Sequence, residues 1–144
     1  RAQLTLSVLG PAPAAPAEIS AWRTPHEQIV LDAAIGALRT HGLAAPERAA
    51  YRRQARWLAQ RGIFDFTCLG HRALALLDHA EGRPRAAARA IARALALSST
   101  NTSPRHRWLC LEAARDLGAL TLDQEEEAAA LASAGGFRLP PGLR

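Results

Sequence analysis

The sequence has no lysine, no methionine and a single asparagine, Asn101; all 18 of its basic residues are arginine. The missing residues are those with AT-rich codons, which points to a GC-rich bacterial genome. Arginine excess is therefore no sign of phosphate binding by itself, although guanidinium forks suit phosphates and carboxylates. No apolar run reaches the ~18 residues that a membrane-spanning helix needs. Only two cysteines occur, Cys68 and Cys110, in no CxxC or metal-type spacing, which excludes a disulfide scaffold and a thiolate metal site. Each lies in an apolar stretch, so both are expected as buried free thiols in a reducing compartment, and the chain as cytoplasmic.

Catalytic signatures are missing too. There is no HExxH, no GxSxG and no glycine-rich phosphate loop. Five histidines occur, His26, His41, His71, His79 and His106. His71 and His79 stand about 12 Å apart along a helix, too far to share a metal. Ser98, Ser99, Thr100 and Ser103 read as a loop. The residues name no catalytic group, cofactor, metal or small-molecule ligand, and the chain is expected not to be an enzyme.

Of its 144 residues, 49 % are hydrophobic, enough for one domain with a real core. The chain starts with Arg1 rather than Met, as an excised or processed piece would. Residues 2–9 alternate Leu4, Leu6 and Val8 with Gln3, Thr5 and Ser7, a strand-like arm. A Pro/Ala-rich linker follows. The expected organisation is arm and linker over 1–23, a helical domain over 24–135 and an irregular tail over 136–144. In that tail Phe137 and Leu139 are placed to pack back as a cover.

From Thr24 the punctuation is helical. "TPHE" offers Thr24 as an N-cap, Pro25 at the first helical position and Glu27 three residues after the cap. Ser103–Pro104 repeats the cap-proline device, and "TLDQ" at Thr121–Gln124 repeats the capping box. Gly42, Gly62, Gly82, Gly118 and Gly135 close apolar-periodic runs. Six helices are predicted, over 25–41, 45–61, 65–81, 83–98, 104–117 and 122–134. Their short connections make neighbours antiparallel.

In helix 83–98, Arg85, Arg89 and Arg93 share one face, and Ala87, Ile91, Ala94 and Leu95 the opposite one. The arginines are expected outside. Helix 45–61 carries a second row at the same spacing, Arg48, Arg52 and Arg56, with Arg53 beside it. Residues 45–107 hold 12 Arg against four acids. Two readings follow: separately solvated faces, or one basic surface for an acidic partner or nucleic acid. Tyr51 and Trp57 fall toward the core side, which disfavours stacking of single strands. Helix-turn-helix recognition is disfavoured as well, because the second helix of the pair around Gly62 opens with the apolar "IFDFTCLG".

Gly82 at a hairpin turn, followed by Ala87, Ile91 and Ala94, resembles a tetratricopeptide-type helical repeat over about residues 65–98. His71 and Asp78 stand where that pattern has aromatics, and Ser98 and Ser99 where it has a closing proline. Gly42, Gly82 and Gly118 are spaced 40 and 36 apart, so a strict 34-residue period is absent. The resemblance implies a stacked antiparallel helical solenoid that binds other proteins.

Glu125, Glu126 and Glu127 open the last helix, where the helix dipole favours acids; docking on an Arg row of a neighbouring subunit is the alternative. Trp57 and Trp108 read as core, with interface anchoring as the alternative. Trp22 is placed to staple against Ile29 or Val30. The expectation is an all-α, tetratricopeptide-like interaction or self-association domain, a scaffold or regulatory module. A nucleic-acid binder acting through Arg48, Arg52, Arg56, Arg85, Arg89 and Arg93 is the alternative.

Overall fold

The computed structural model describes residues 16–61, 66–99 and 102–138. They form six α-helices and no strand: α1 (Pro16–Thr40), α2 (Ala45–Arg61), α3 (Thr67–Ala80), α4 (Pro84–Leu97), α5 (Pro104–Asp116) and α6 (Leu122–Gly135). The strand-like arm at 2–9, Gly62 and Leu139 lie outside the described residues.

Helices α2 to α6 start and stop within two residues of the sequence reading, because their ends are written in caps. Ser103 Oγ accepts from the backbone N–H of His106 at 3.2 Å, ahead of Pro104 at the first helical position. Thr121 Oγ1 accepts from Gln124 N at 3.2 Å, and Gln124 Oε1 accepts from Thr121 N at 3.0 Å, a closed capping box. At the end of α3, Gly82 takes φ +73°. That lets Gly82 N donate to His79 O at 3.1 Å and Arg83 N to Asp78 O at 2.9 Å, the paired bonds of a left-handed helix stop. The last helix is stopped by Gly136 at φ +65°, one residue beyond the expected Gly135.

The first helix departs from expectation. It begins at Pro16, so Pro25 lies inside it and Thr24 is no N-cap. Glu27 does not reach back to cap; its Oε1 accepts from Arg23 Nε at 3.0 Å, one turn earlier. A Thr-Pro-x-Glu run fits a helix start and an i,i+4 ion pair equally well. Here Pro16 supplies the first-turn proline, and Ala-rich residues carry the helix through.

Helix packing runs α1 on α2, α2 on α3, α3 on α4, α4 on α5 and α5 on α6, with α1 and α5 also against α3. The odd helices thus form one layer, with the even ones alongside. The core runs through both: Leu31, Ile35, Leu58, Leu69, Leu76, Leu77, Ile91, Leu109 and Leu111 are all buried. Ala87, Ile91 and Ala94 turn inward from α4 as their phase requires. At Gly70 α2 and α3 come into close contact, since a Cβ there would stand 2.3 Å from Ala59 N. Cys68 and Cys110 are buried thiols outside any disulfide. Helix packing brings them together, so that Cys110 Sγ lies 3.9 Å from Cys68 O. A hydrogen bond with the Cys68 side chain holds the Cys110 thiol below the ordinary cysteine range against its burial, helped by Arg72 and Arg107.

Candidate interaction surface

The two arginine rows share a spacing and have different fates. Arg85, Arg89 and Arg93 lie exposed along α4, opposite its buried face, as their phase requires. None of the three has a carboxylate partner among the described residues. The α2 row is split. Arg56 and Arg53 are exposed, but Arg48 and Arg52 turn toward the end of α3.

There Arg52 Nη1 donates to Asp78 Oδ1 at 2.7 Å and Nη2 to Glu81 Oε1 at 2.5 Å. Arg48 Nε donates to Glu81 Oε2 at 3.1 Å, and its Nη1 to Leu43 O. Arg83 approaches the same acids at 3.8 and 3.5 Å. The Arg52 and Asp78 side chains are 12 % and 10 % exposed, so this is a tie between helices and not a solvated row. Burial works against the Arg52 charge, and the two carboxylates outweigh it. Burial likewise pushes Glu81 up, but hydrogen bonds from Arg48 and Arg52 hold it below the usual carboxylate range. Arg48 and Arg52 are thus engaged inside the fold, while Arg53 and Arg56 of the same helix face solvent.

Sequence spacing gave no hint of Asp78 and Glu81 as partners. The signal was in the topology: an antiparallel α2–α3 hairpin sets the last turn of α3 beside the first turns of α2.

A groove of about 610 Å³ opens between α1 and α2, lined by Arg23, Val30, Glu47, Ala50, Tyr51, Arg53, Gln54 and Trp57. The Arg23 guanidinium lies 3.9 Å above the Trp57 ring, a cation–π contact. Tyr51 and Trp57 are half-buried against the core, leaving ring surface toward the groove. The buried Oε1 of Gln54 has no hydrogen-bond partner. Of the two tryptophans considered as anchors, Trp57 stands at this groove. Trp108 is 5 % exposed and its ring centroid is 5.7 Å from that of Phe137, so it belongs to the core, with Phe137 folded back as expected. Trp22 lies on α1, but its side chain is outside the described ones.

A second cleft of about 420 Å³ lies between α5, α6 and the tail, lined by Trp108, Glu112, Arg115, Ala128, Ala129, Ala132, Phe137 and Arg138. Arg115 ties two of its carboxylate neighbours. Arg115 Nη1 donates to Glu112, and its Nε to Glu125 Oε1 at 2.9 Å.

Among the described residues, no group of three or more His, Cys, Asp or Glu is placed to hold a metal ion. None of the described helices is long and apolar enough to cross a membrane. His71 is half-buried, and burial together with Arg93 lowers its pKa. No protein-family model, curated protein or solved structure matches the chain.

Proposed function

We propose that this domain is a non-enzymatic protein–protein interaction or self-association module of the tetratricopeptide-like kind. The observation that carries this reading is the α1–α2 groove. Its wall of Val30, Tyr51 and Trp57 beneath exposed Arg23 and Arg53 combines apolar area with charge at the rim, the composition of binding patches. Aromatic residues and arginine are the side chains that most often carry interface energy. A scaffold or regulatory role in a bacterial cytoplasm fits this reading and the composition.

A photo-reactive residue at Tyr51 tests it. Protein adducts are expected there, and none with the same residue at exposed Ala92 on α4. Adducts at neither position, or equally at both, would count against the groove.

One observation favours a second reading, binding of a polyanion such as nucleic acid: Arg85, Arg89 and Arg93 face solvent without a carboxylate among the described residues. With Arg48 and Arg52 engaged internally, four of the six candidate arginines remain, Arg56 among them. Light scattering with a short DNA duplex or an RNA separates the readings. A phosphate binder gains mass at low salt and loses it steeply as salt rises. The groove reading expects no added mass.

A further inference from the structure

The two ends of the helix stack differ in a way that names a partner. Stacked-helix proteins stay separate when their terminal helices present a polar outer face. Here α6, the last helix, packs on α5 and leaves a face of Leu122, Glu126, Ala129 and Ser133 exposed at helical spacing. That face is broken by an apolar knob at its start, since Leu122 is 77 % exposed. Asp123 and Glu126 give the same end negative charge, and neither has an ion-pair partner among the described residues.

The α1–α2 groove sits on the opposite end helix pair. Its rim carries Arg53, exposed and without a described carboxylate, and Arg23, which is held by Glu27 and stacked on Trp57. Glu47 is the one acid there, and its carboxylate is turned to Ala44 N at 3.2 Å. Apolar knob and apolar wall, and acids and an unpaired arginine, therefore correspond between the two ends.

We propose that a second copy of this chain docks the start of α6 into the α1–α2 groove, joining copies head to tail. The inference rests on the interaction reading above and names its partner. Leu122 enters against Val30 and Trp57, and Asp123 and Glu126 meet Arg53. Such a contact uses different surfaces on the two copies, so it grows into chains or closes into a ring.

Sedimentation of the full chain, from low micromolar to submillimolar, tests this with two surface variants. Leu122→Asp removes the knob and Arg53→Glu the rim. Each is expected to weaken association by about tenfold to a hundredfold, the effect of one leucine or one well-placed charge pair at an interface. Both positions are exposed, so the thermal midpoint should hold. The decisive sample is the equimolar mixture. Leu122→Asp keeps an intact groove and Arg53→Glu an intact knob, so together they form a dimer that grows no further.

A mixture that stays monomeric, or variants that associate like the wild type, would overturn the inference. So would a wild type monomeric throughout, or one that associates only after residues 1–15 are removed, since the arm would then be the occupant. If the wild type is monomeric and Tyr51 still cross-links to another protein, the second-copy inference falls and the interaction reading stands. If the cross-link is missing too, both fall.

Discussion

Arg107 grips Glu127 with both arms of its guanidinium, Nε to Oε2 at 2.8 Å and Nη2 to Oε1 at 2.9 Å. The same side chain donates from Nη1 to Leu95 O at 2.9 Å and Ser98 Oγ at 3.1 Å. One residue of α5 thus closes the C-terminal end of α4 and holds α6. Its hydrogen bonds keep Glu127 below the usual carboxylate range.

Replacing Arg107 by Ala should lower unfolding free energy by about 2 kcal/mol, chiefly from the bonds to α4. The Glu127 side chain is 41 % exposed, so solvent screens that arm, and Glu127→Gln should cost less than about 1 kcal/mol. Urea unfolding of both variants checks the order. Equal losses would mean that the α6 arm carries the whole effect and the bonds to α4 none.

Gly70→Ala should destabilise the domain even though alanine is the better helix former. The helix gain is about 1 kcal/mol. The new methyl would meet Ala59 N at 2.3 Å, Ala59 Cα at 2.7 Å and Leu58 C at 2.8 Å. These are backbone atoms that move only by separating α2 from α3. Overpacking of that kind costs about 1–3 kcal/mol, so the midpoint in urea should fall. A rise would show that the two helices separate freely.

The helix map was legible because capping is local chemistry: Ser103, Thr121, Gly82 and Gly118 each act within five residues of chain. The inward face of α4 was legible from period alone. The start of α1 was not, since Glu27 had two partners in reach, Thr24 and Arg23, and letters alone do not choose between them. The fate of Arg48 and Arg52 was hidden for another reason. Their partners lie 26 to 33 residues away and meet them only once the α2–α3 hairpin has closed. The groove has the same origin: Val30 and Trp57 become neighbours through packing, and no motif marks the pair. Gly70 gave no signal either, because a glycine inside a helix carries no mark of what approaches it.

Acid should weaken the fold in two stages. The folded-state pKa of His71 is depressed below its ordinary 6.5 by burial and Arg93, so the unfolded chain takes up that proton first. Stability is full above about pH 6.5 and declines as pH falls toward the folded value. Glu81 and Glu127 are likewise held below 4.5, and their contribution fades only under more acidic conditions. Urea midpoints across pH for wild type and His71→Gln separate the stages. The variant should lose the slope just below pH 6.5 and keep the one below 4.5; an unchanged slope would place the first stage on another group.

Two arginine rows of identical spacing should respond oppositely to the same chemistry. Arg85, Arg89 and Arg93 changed together to Gln remove charge from solvent. Each surface substitution is worth within about 0.5 kcal/mol, and the loss of mutual repulsion offsets part of it. The fold should hold, and any polyanion binding should vanish. Arg48 and Arg52 changed to Gln remove the hydrogen-bonded arginines from Asp78 and Glu81, whose side chains are 10 % and 17 % exposed, and leave them only Arg83 at 3.8 and 3.5 Å. Removing one partner of a buried pair destabilises by about 3 kcal/mol, and Arg83 offsets part of that loss. That cost should shrink in acid, where Glu81, no longer held below the usual carboxylate range by Arg48 and Arg52, takes up a proton. Urea unfolding of both variants at neutral and acidic pH is the measurement. Comparable losses for the two rows would mean that the α4 arginines hold a partner after all.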